Sequence, residues 1–180
     1  MTTDRLPLLA VVVDLLGRHR IAFALIGASA LALRGVSRST MDIDLLVSDD
    51  RVLAHPTWAG VPDGVDVDVR RGERDDPLAG VVRVRAGGAR DVDVIVGRSA
   101  WQAEAIARAE PAVYGGVTAP VVRSEDLILL KLYAGGSQDR WDIEQLLAGP
   151  DRIALIERVE RHLAVLPERA RRLWTTLRGE

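Results

Sequence analysis

Short apolar stretches dominate the first hundred residues of the chain, whereas later apolar positions recur every three or four residues. Short stretches bounded by glycine, proline or charged residues predict strands. We predict five strands, at residues 21–26, 41–47, 65–69, 81–85 and 91–96. Helical spacing predicts helices at residues 6–16, 30–33, 50–54, 125–133, 138–147, 152–165 and 167–177.

The order of these elements predicts an α/β fold of the α+β kind, with a small mixed β-sheet, flanking helices and a helical C-terminal subdomain. Residues 86–89, Ala-Gly-Gly-Ala, join the last two predicted strands and predict a hairpin. From Trp101 onward the pattern is mostly helical. We therefore predict an α/β core at residues 1–100 and a helical subdomain at 101–180, which could also pack as one compact unit.

Composition limits the kind of metal site that the chain could hold. The 180 residues include no cysteine and three widely spaced histidines, His19, His55 and His162. A disulfide framework and a thiolate metal site are therefore excluded, and a zinc site is not expected. A bound metal would have oxygen ligands, as Mg²⁺ or Mn²⁺ does.

Charge and hydropathy bear on location and partners. No apolar run approaches the roughly 18 residues that a membrane span needs, and Met1–Asp4 lacks the basic start of a signal peptide. We therefore expect a cytoplasmic protein without a membrane partner. The net charge of −2 gives no general basic surface for nucleic acid, although a local basic patch is compatible with it.

The clearest candidate chemistry lies in the predicted strand 41–47. Asp42 and Asp44 share one face of this strand, and Ile43 and Leu45 share the other. Two neighbouring carboxylates repel each other, and a divalent cation would relieve that repulsion. The competing interpretation is an ordinary strand with an acidic, solvated outer face.

A second acidic strand follows at 91–96. Asp93 precedes an apolar run as Asp44 does, so we choose it as a third metal ligand, with Asp91 on the same face as the alternative. Three carboxylates on adjacent strands can hold two Mg²⁺ ions. Asp66 and Asp68, on a third acidic strand, are interpreted mainly as solvated residues.

Gly27-Ala28-Ser29 stands where a predicted strand passes into a helix. A helix start offers unpaired backbone N–H groups to a phosphate, and a glycine lets the phosphate approach closely. Lys131 is the only lysine among 24 basic residues, so it could stand where a guanidinium does not fit.

These motifs, in this order, resemble the signature of the polymerase-β nucleotidyltransferase superfamily. The resemblance lies in the segments Ala24–Ala30 and Gly35–Asp44. In order, they give a hydrophobic strand, a glycine turn, a short helix and a strand with two aspartates separated by one hydrophobic residue. Residues 124–143 are similar to a helical segment of the same family, with its lysine, arginine and two aspartates. More narrowly, the chain resembles AbiEii-like and MNT-like toxin–antitoxin nucleotidyltransferases over roughly residues 20 to 148.

The resemblance implies roles for particular residues. The catalytic metal ligands would be Asp42, Asp44 and Asp93, with Asp93 favouring deprotonation of the acceptor. The residues that bind the nucleotide or its phosphates would be Gly27, Ala28, Ser29, Arg38, Thr40 and Lys131. Asp139 and Asp142 would hold Lys131 and the last helices, or take part directly.

The chain departs from the family pattern at two points. Ala28 occupies the second position of the glycine turn, so a serine contact would come from Ser29. Gly135-Gly136-Ser137 lacks an arginine that the family often has near this position, and Arg140 could replace it.

We therefore predict an enzyme that uses Mg²⁺ or Mn²⁺ to move a nucleoside monophosphate from an NTP to a hydroxyl group. The acceptor would be a tRNA 3′ end, a protein side chain or a small molecule, and a cognate toxin or antitoxin could be a partner. One alternative is an inactive relative that acts as a binding module or antitoxin. Another is a glycosyltransferase whose D-x-D motif binds a metal.

Overall fold

A seven-stranded mixed sheet forms the centre of the fold in the computed structural model, which describes residues 7–179. Its strands are β1 Phe23–Leu25, β2 Asp42–Val47, β3 Val65–Arg71, β4 Leu78–Ala86, β5 Asp91–Gly97, β6 Glu110–Tyr114 and β7 Val117–Val121. The spatial order is β3-β4-β5-β2-β1-β7-β6. The β2–β5 and β1–β7 pairs are parallel, and the other neighbours are antiparallel. The predicted fold class is confirmed.

Helices flank this sheet and continue to the end of the described residues. They are α1 Leu8–Arg18, α2 Gly27–Leu33, α3 Ala100–Ala107, α4 Ser124–Ala134, α5 Ser137–Leu147, α6 Arg152–His162 and α7 Glu168–Arg178. Short 3-10 turns occupy Asp50–Leu53, His55–Trp58 and Leu163–Val165. The expectations for Met1–Asp4 and for Leu6 lie outside the described residues. Over residues 7–179, none of the helices combines the length and the apolar character that crossing a membrane requires.

The alternation of side chains along β2, β4 and β5 separates the core from the candidate site. On one face, Leu45, Val82, Val84, Val92 and Val94 are fully buried, and α1 contacts β4 and β5. Because successive side chains of a strand point to opposite faces, the acids of β2 and β5 lie on the other face. Burial of the valines and leucines thus fixes where the carboxylates point.

The hairpin of β6 and β7 was not predicted from the sequence. Strands are not favoured there by the residue types Glu110, Pro111 and Pro120. In the structure, Pro111 and Pro120 are nevertheless register partners in the sheet. Proline is tolerated on an edge strand such as β6 because it removes no ladder hydrogen bond on the solvent side. Gly115 and Gly116, both with positive φ (56° and 80°), were the available signal, since paired glycines favour a two-residue hairpin turn.

Two further boundaries differ from the prediction. The predicted strands 65–69 and 81–85 are too short, because β3 extends to Arg71 and β4 already begins at Leu78. The sheet also takes β6 and β7 from beyond residue 100. The division into domains at that residue stays a prediction. The last four helices pack together, and α4 contacts α2, which brings the helical part close to β2.

Candidate active site

Four carboxylates lie on two neighbouring strands, on the face of the sheet opposite the valine core. In the parallel pairing of β2 and β5, Asp42 is the register partner of Asp91 and Asp44 is the register partner of Asp93. Register partners on neighbouring strands point to the same face of a sheet. The structure therefore brings the predicted acids of both strands together.

This arrangement changes the pKa of Asp44. Burial, followed by the nearby charges of Asp93 and Asp42, raises the pKa of Asp44 from 3.8 to about 6. Lys131 and Arg38 act in the opposite direction and lower it. Asp44 is thus buried within reach of the charges of two other carboxylates, and carboxylate oxygens are the ligands that a hard cation prefers.

Gly27 faces Asp44 directly at the start of α2. Its φ of +64° is a left-handed conformation that favours glycine, and a Cβ atom there would collide with Oδ2 of Asp44. The N–H of Ile26 donates to the carbonyl oxygen of Asp44 at 2.9 Å, which fixes the turn against β2. Ala28 and Ser29 are buried behind it, and the side chain of Ser29 lies beside that of Tyr114.

Asp93 forms an ion pair with an arginine that was not predicted as a site residue. Arg83 on β4 donates from Nε to Oδ1 of Asp93 at 2.7 Å and from Nη2 to Oδ2 at 2.5 Å. Over residues 7–179, the acidic and histidine side chains form no ready-made cluster of three that could hold a metal. The acids are oxygen donors of the right kind, but Asp93 is turned towards Arg83.

A signal for this ion pair was present in the sequence. Arg83 and Asp93 are equally distant from Gly88, the middle of the predicted hairpin, and they are register partners in the structure. Residues equidistant from a hairpin turn lie opposite each other on the same face. The pairing could therefore have been derived once the hairpin was placed.

Two of the predicted phosphate ligands, Arg38 and Lys131, form ion pairs with α5. Asp142 is fully buried and lies 2.5 Å from Nζ of Lys131 and 3.1 Å from Nη1 of Arg38. Lys131 also lies 3.3 Å from Asp139, which in turn accepts a hydrogen bond from the N–H of Gly136. The structure thus places Lys131 and Arg38 near Asp44 and pairs both with Asp142, and the supporting role of Asp139 and Asp142 stays a prediction.

The start of β2 is held by two further contacts. Thr40 donates from Oγ1 to the carbonyl oxygen of Asp42 at 3.0 Å, which fixes the loop in front of the acid pair. Arg90 donates to the same carbonyl at 3.0 Å and to the hydroxyl of Tyr114 at 2.7 Å. Arg90 and Tyr114 were not identified from the sequence, because the hairpin that carries Tyr114 was not predicted.

A family model described as "Nucleotidyl transferase of unknown function (DUF2204)" matches residues 6–178. The chain belongs to this nucleotidyltransferase family. No curated protein shows significant sequence similarity to it.

Solved structures share the fold of this nucleotidyltransferase at low sequence identity. One is a protein from H. pylori described as a nucleotidyltransferase, with 17% identity, coverage of 95% of this chain and 92% of that chain, and a TM-score of 0.52. A second is the antibiotic-resistance factor ANT(2″)-Ia, with 15% identity, 87% and 90% coverage, and a TM-score of 0.54. A third, from Thermotoga maritima, has 15% identity, 82% and 99% coverage, and a TM-score of 0.51.

The recognition of a nucleotidyltransferase is confirmed, whereas the polymerase-β superfamily and the narrower AbiEii-like or MNT-like assignment stay predictions. In this nucleotidyltransferase, Arg140 is exposed on α5, and its suggested replacement of the missing arginine near Gly136 stays a prediction as well. Asp66 is exposed and Asp68 partly exposed, and they pair with Arg85 and Arg70 respectively.

Proposed function

We propose that this nucleotidyltransferase moves a nucleoside monophosphate from an NTP to a hydroxyl group, with Mg²⁺ or Mn²⁺ held by Asp42, Asp44 and Asp93. One observation carries the proposal: the three acids share one face of two parallel strands, with Gly27 against Asp44. When bound, the divalent ion would neutralise phosphate charge and lower the pKa of the attacking hydroxyl.

The phosphates would lie between α2 and α4. The turn at Gly27 and Ala28 offers backbone N–H groups that can serve a ligand, and the buried side chain of Ser29 follows directly after them. Arg38 and Lys131 supply positive charge next to Asp44, where the triphosphate would meet the metal. Asp142 keeps both cations in place through its buried ion pairs.

The acceptor would enter beside Asp93. A cleft of about 460 Å³ opens there, with Asp93 and Arg83 at one end and Leu78, Val81 and Ile95 among its lining. In the reaction, the acceptor oxygen forms a bond to the α-phosphorus and its proton passes to Asp93. The bond from the α-phosphorus to the bridging oxygen breaks, and pyrophosphate leaves.

The cleft is compatible with the three acceptor classes predicted from the sequence: a tRNA 3′ end, a protein hydroxyl or a small molecule. The name of one structural neighbour, an antibiotic-resistance factor, supports including small molecules. Action in the cytoplasm as part of a toxin–antitoxin pair, with a cognate partner, remains part of the proposal. Membership in a nucleotidyltransferase family leaves the glycosyltransferase alternative without support.

The proposed activity is tested by incubating the protein with each NTP, radiolabelled at the α-phosphate, and Mg²⁺ or Mn²⁺. Separate reactions contain total RNA, a protein lysate or a panel of small polyhydroxyl compounds. We expect label to appear in one acceptor class, together with pyrophosphate, and to disappear when EDTA is added.

The matched control is Asp66→Asn, which removes an exposed acid from the same face of the sheet and should leave labelling unchanged. Absence of label in every acceptor class would support the inactive binding module instead. Labelling that persists in EDTA would contradict the role of the metal.

A further inference from the structure

Arg83 lies between two acids in a row that crosses four strands. The strand registers align Asp68 of β3, Arg83 of β4, Asp93 of β5 and Asp44 of β2. Asp68, Arg83 and Asp93 also line the same cleft. The guanidinium of Arg83 therefore has a carboxylate neighbour on each side, and only Asp93 of the two belongs to the proposed metal site.

The present pairing conflicts with the proposed role of Asp93. Both carboxylate oxygens of Asp93 accept hydrogen bonds from Arg83. A bidentate arginine pair is a strong interaction, and it uses the oxygens that a cation would need. A metal that takes Asp93 as a ligand must compete with Arg83 for it.

A second carboxylate is available to receive Arg83. The side chain of Asp68 is 32% exposed, and its partner Arg70 is 78% exposed, so their ion pair contributes little and is easily given up. Arg83 itself is 41% exposed and can rotate without disturbing the core. Moving from Asp93 to Asp68 would keep the charge of Arg83 compensated.

In the neighbouring row of paired residues, the arginine of β4 is bonded to the acid of β3. There the register pairs Asp66 of β3 with Arg85 of β4. Arg85 donates to Asp66, with its Nη2 atom 3.1 Å from Oδ2. An arginine on β4 can therefore pair with the β3 acid in this sheet.

We propose that Arg83 is a positioning residue that exchanges partners: it holds Asp93 in the metal-free protein and moves to Asp68 when a divalent cation binds. The inference rests on the proposed function, because it takes Asp93 as a metal ligand. Arg83 thereby keeps Asp93 oriented and its charge compensated until the cation arrives. Asp68 then acts as the receiving partner and makes no contact with the metal.

The test is a titration of the full chain with Mn²⁺ alone, followed by electron paramagnetic resonance at pH 8, without nucleotide or acceptor. Arg83→Gln removes the competitor and should tighten Mn²⁺ binding about tenfold, as expected for loss of a bidentate pair. Asp68→Asn removes the receiving partner and should weaken binding about threefold or more. Arg83→Lys, which keeps the charge without the fork, should lie between wild type and Arg83→Gln.

Arg85→Gln and Asp66→Asn are the matched controls, because they remove the same charges one row away. Each should change Mn²⁺ affinity by less than about twofold, as expected for screened surface charges. Thermal melting checks that every variant is folded. Equal effects of Arg83→Gln and Arg85→Gln, or of Asp68→Asn and Asp66→Asn, would overturn the exchange, because they would reflect general electrostatics alone.

The same titration separates this inference from the proposed function. If wild type and all variants bind no Mn²⁺, the metal site itself fails, and the exchange fails with it. If wild type binds Mn²⁺ but the Arg83 and Asp68 variants match it, only the exchange is wrong. A Mn²⁺-bound crystal structure should show Arg83 on Asp68, and Arg83 still paired with Asp93 there would also contradict the exchange.

Discussion

Replacing Asp44 by asparagine is expected to abolish nucleotidyl transfer while stabilising the metal-free protein above about pH 6. Asparagine keeps the shape of the side chain but cannot offer the charge that a divalent ion requires. Loss of that ligand should lower the transfer rate by about a thousandfold or more. The Gly27 turn packs against this side chain, so an isosteric replacement preserves the local fold.

The stability gain follows from the raised pKa of Asp44. Burial and then the charges of Asp93 and Asp42 raise that pKa from 3.8 to about 6, so ionising Asp44 costs more in the folded chain than in the unfolded one. Below about pH 4 the group is protonated in both states and costs nothing. As the pH rises through 6, wild type should lose about 1 to 3 kcal/mol that Asp44→Asn does not lose.

Thermal melting in EDTA at pH 4 and pH 8 measures this difference. We expect equal melting temperatures for wild type and Asp44→Asn at pH 4 and a higher one for the variant at pH 8. Adding Mg²⁺ at pH 8 should stabilise wild type but not the variant. A variant that is less stable than wild type at pH 8 would show that the carboxylate of Asp44 is well compensated, contrary to this account.

Replacing Asp142 by alanine should destabilise the protein by about 3 kcal/mol, because one partner of a buried ion pair is removed and the other remains. Asp142 is fully buried, and it holds Lys131 at 2.5 Å and Arg38 at 3.1 Å. Without it, Lys131 stays almost wholly buried with Asp139 at 3.3 Å. The two proposed phosphate ligands should lose their positions, so NTP affinity should also fall.

Denaturant unfolding of Asp142→Ala, with Asp139→Ala as the control, measures this effect. Asp139 is partly exposed and contributes a longer ion pair and one hydrogen bond from Gly136 at the start of α5. Its loss should cost only about 1 kcal/mol. Equal destabilisation by the two substitutions would contradict the central position given to Asp142.

Much of the fold and of the candidate site follows from local patterns in the sequence. Strict alternation placed Asp42 and Asp44 on one face of β2, and the glycine-rich junction placed the β4–β5 hairpin. The break at Gly135 separates α4 from α5 as predicted, because Gly135 adopts a left-handed conformation that ends the helix. These features depend on residues close together in the chain.

The remaining features depend on contacts between distant segments. The β6–β7 hairpin contradicts local propensity and is held by its place at the edge of the sheet, through the pairing of Leu25 with Val121. The burial of Asp142 depends on how α5 packs against α4. Its partner Arg38 lies more than a hundred residues earlier in the chain. The pairing of Asp93 with Arg83 is a local feature by contrast, because the two residues are equidistant from Gly88 in the β4–β5 hairpin.

The location of a bound metal and triphosphate tests the central claim most directly. Crystals grown with Mn²⁺ and a non-hydrolysable NTP analogue would report the metal through its anomalous diffraction. We predict a Mn²⁺ peak bounded by Asp42 and Asp44, with the phosphates of the analogue at the Gly27 turn and next to Lys131. A peak elsewhere, or phosphates that bind away from Gly27 and Lys131, would contradict the account.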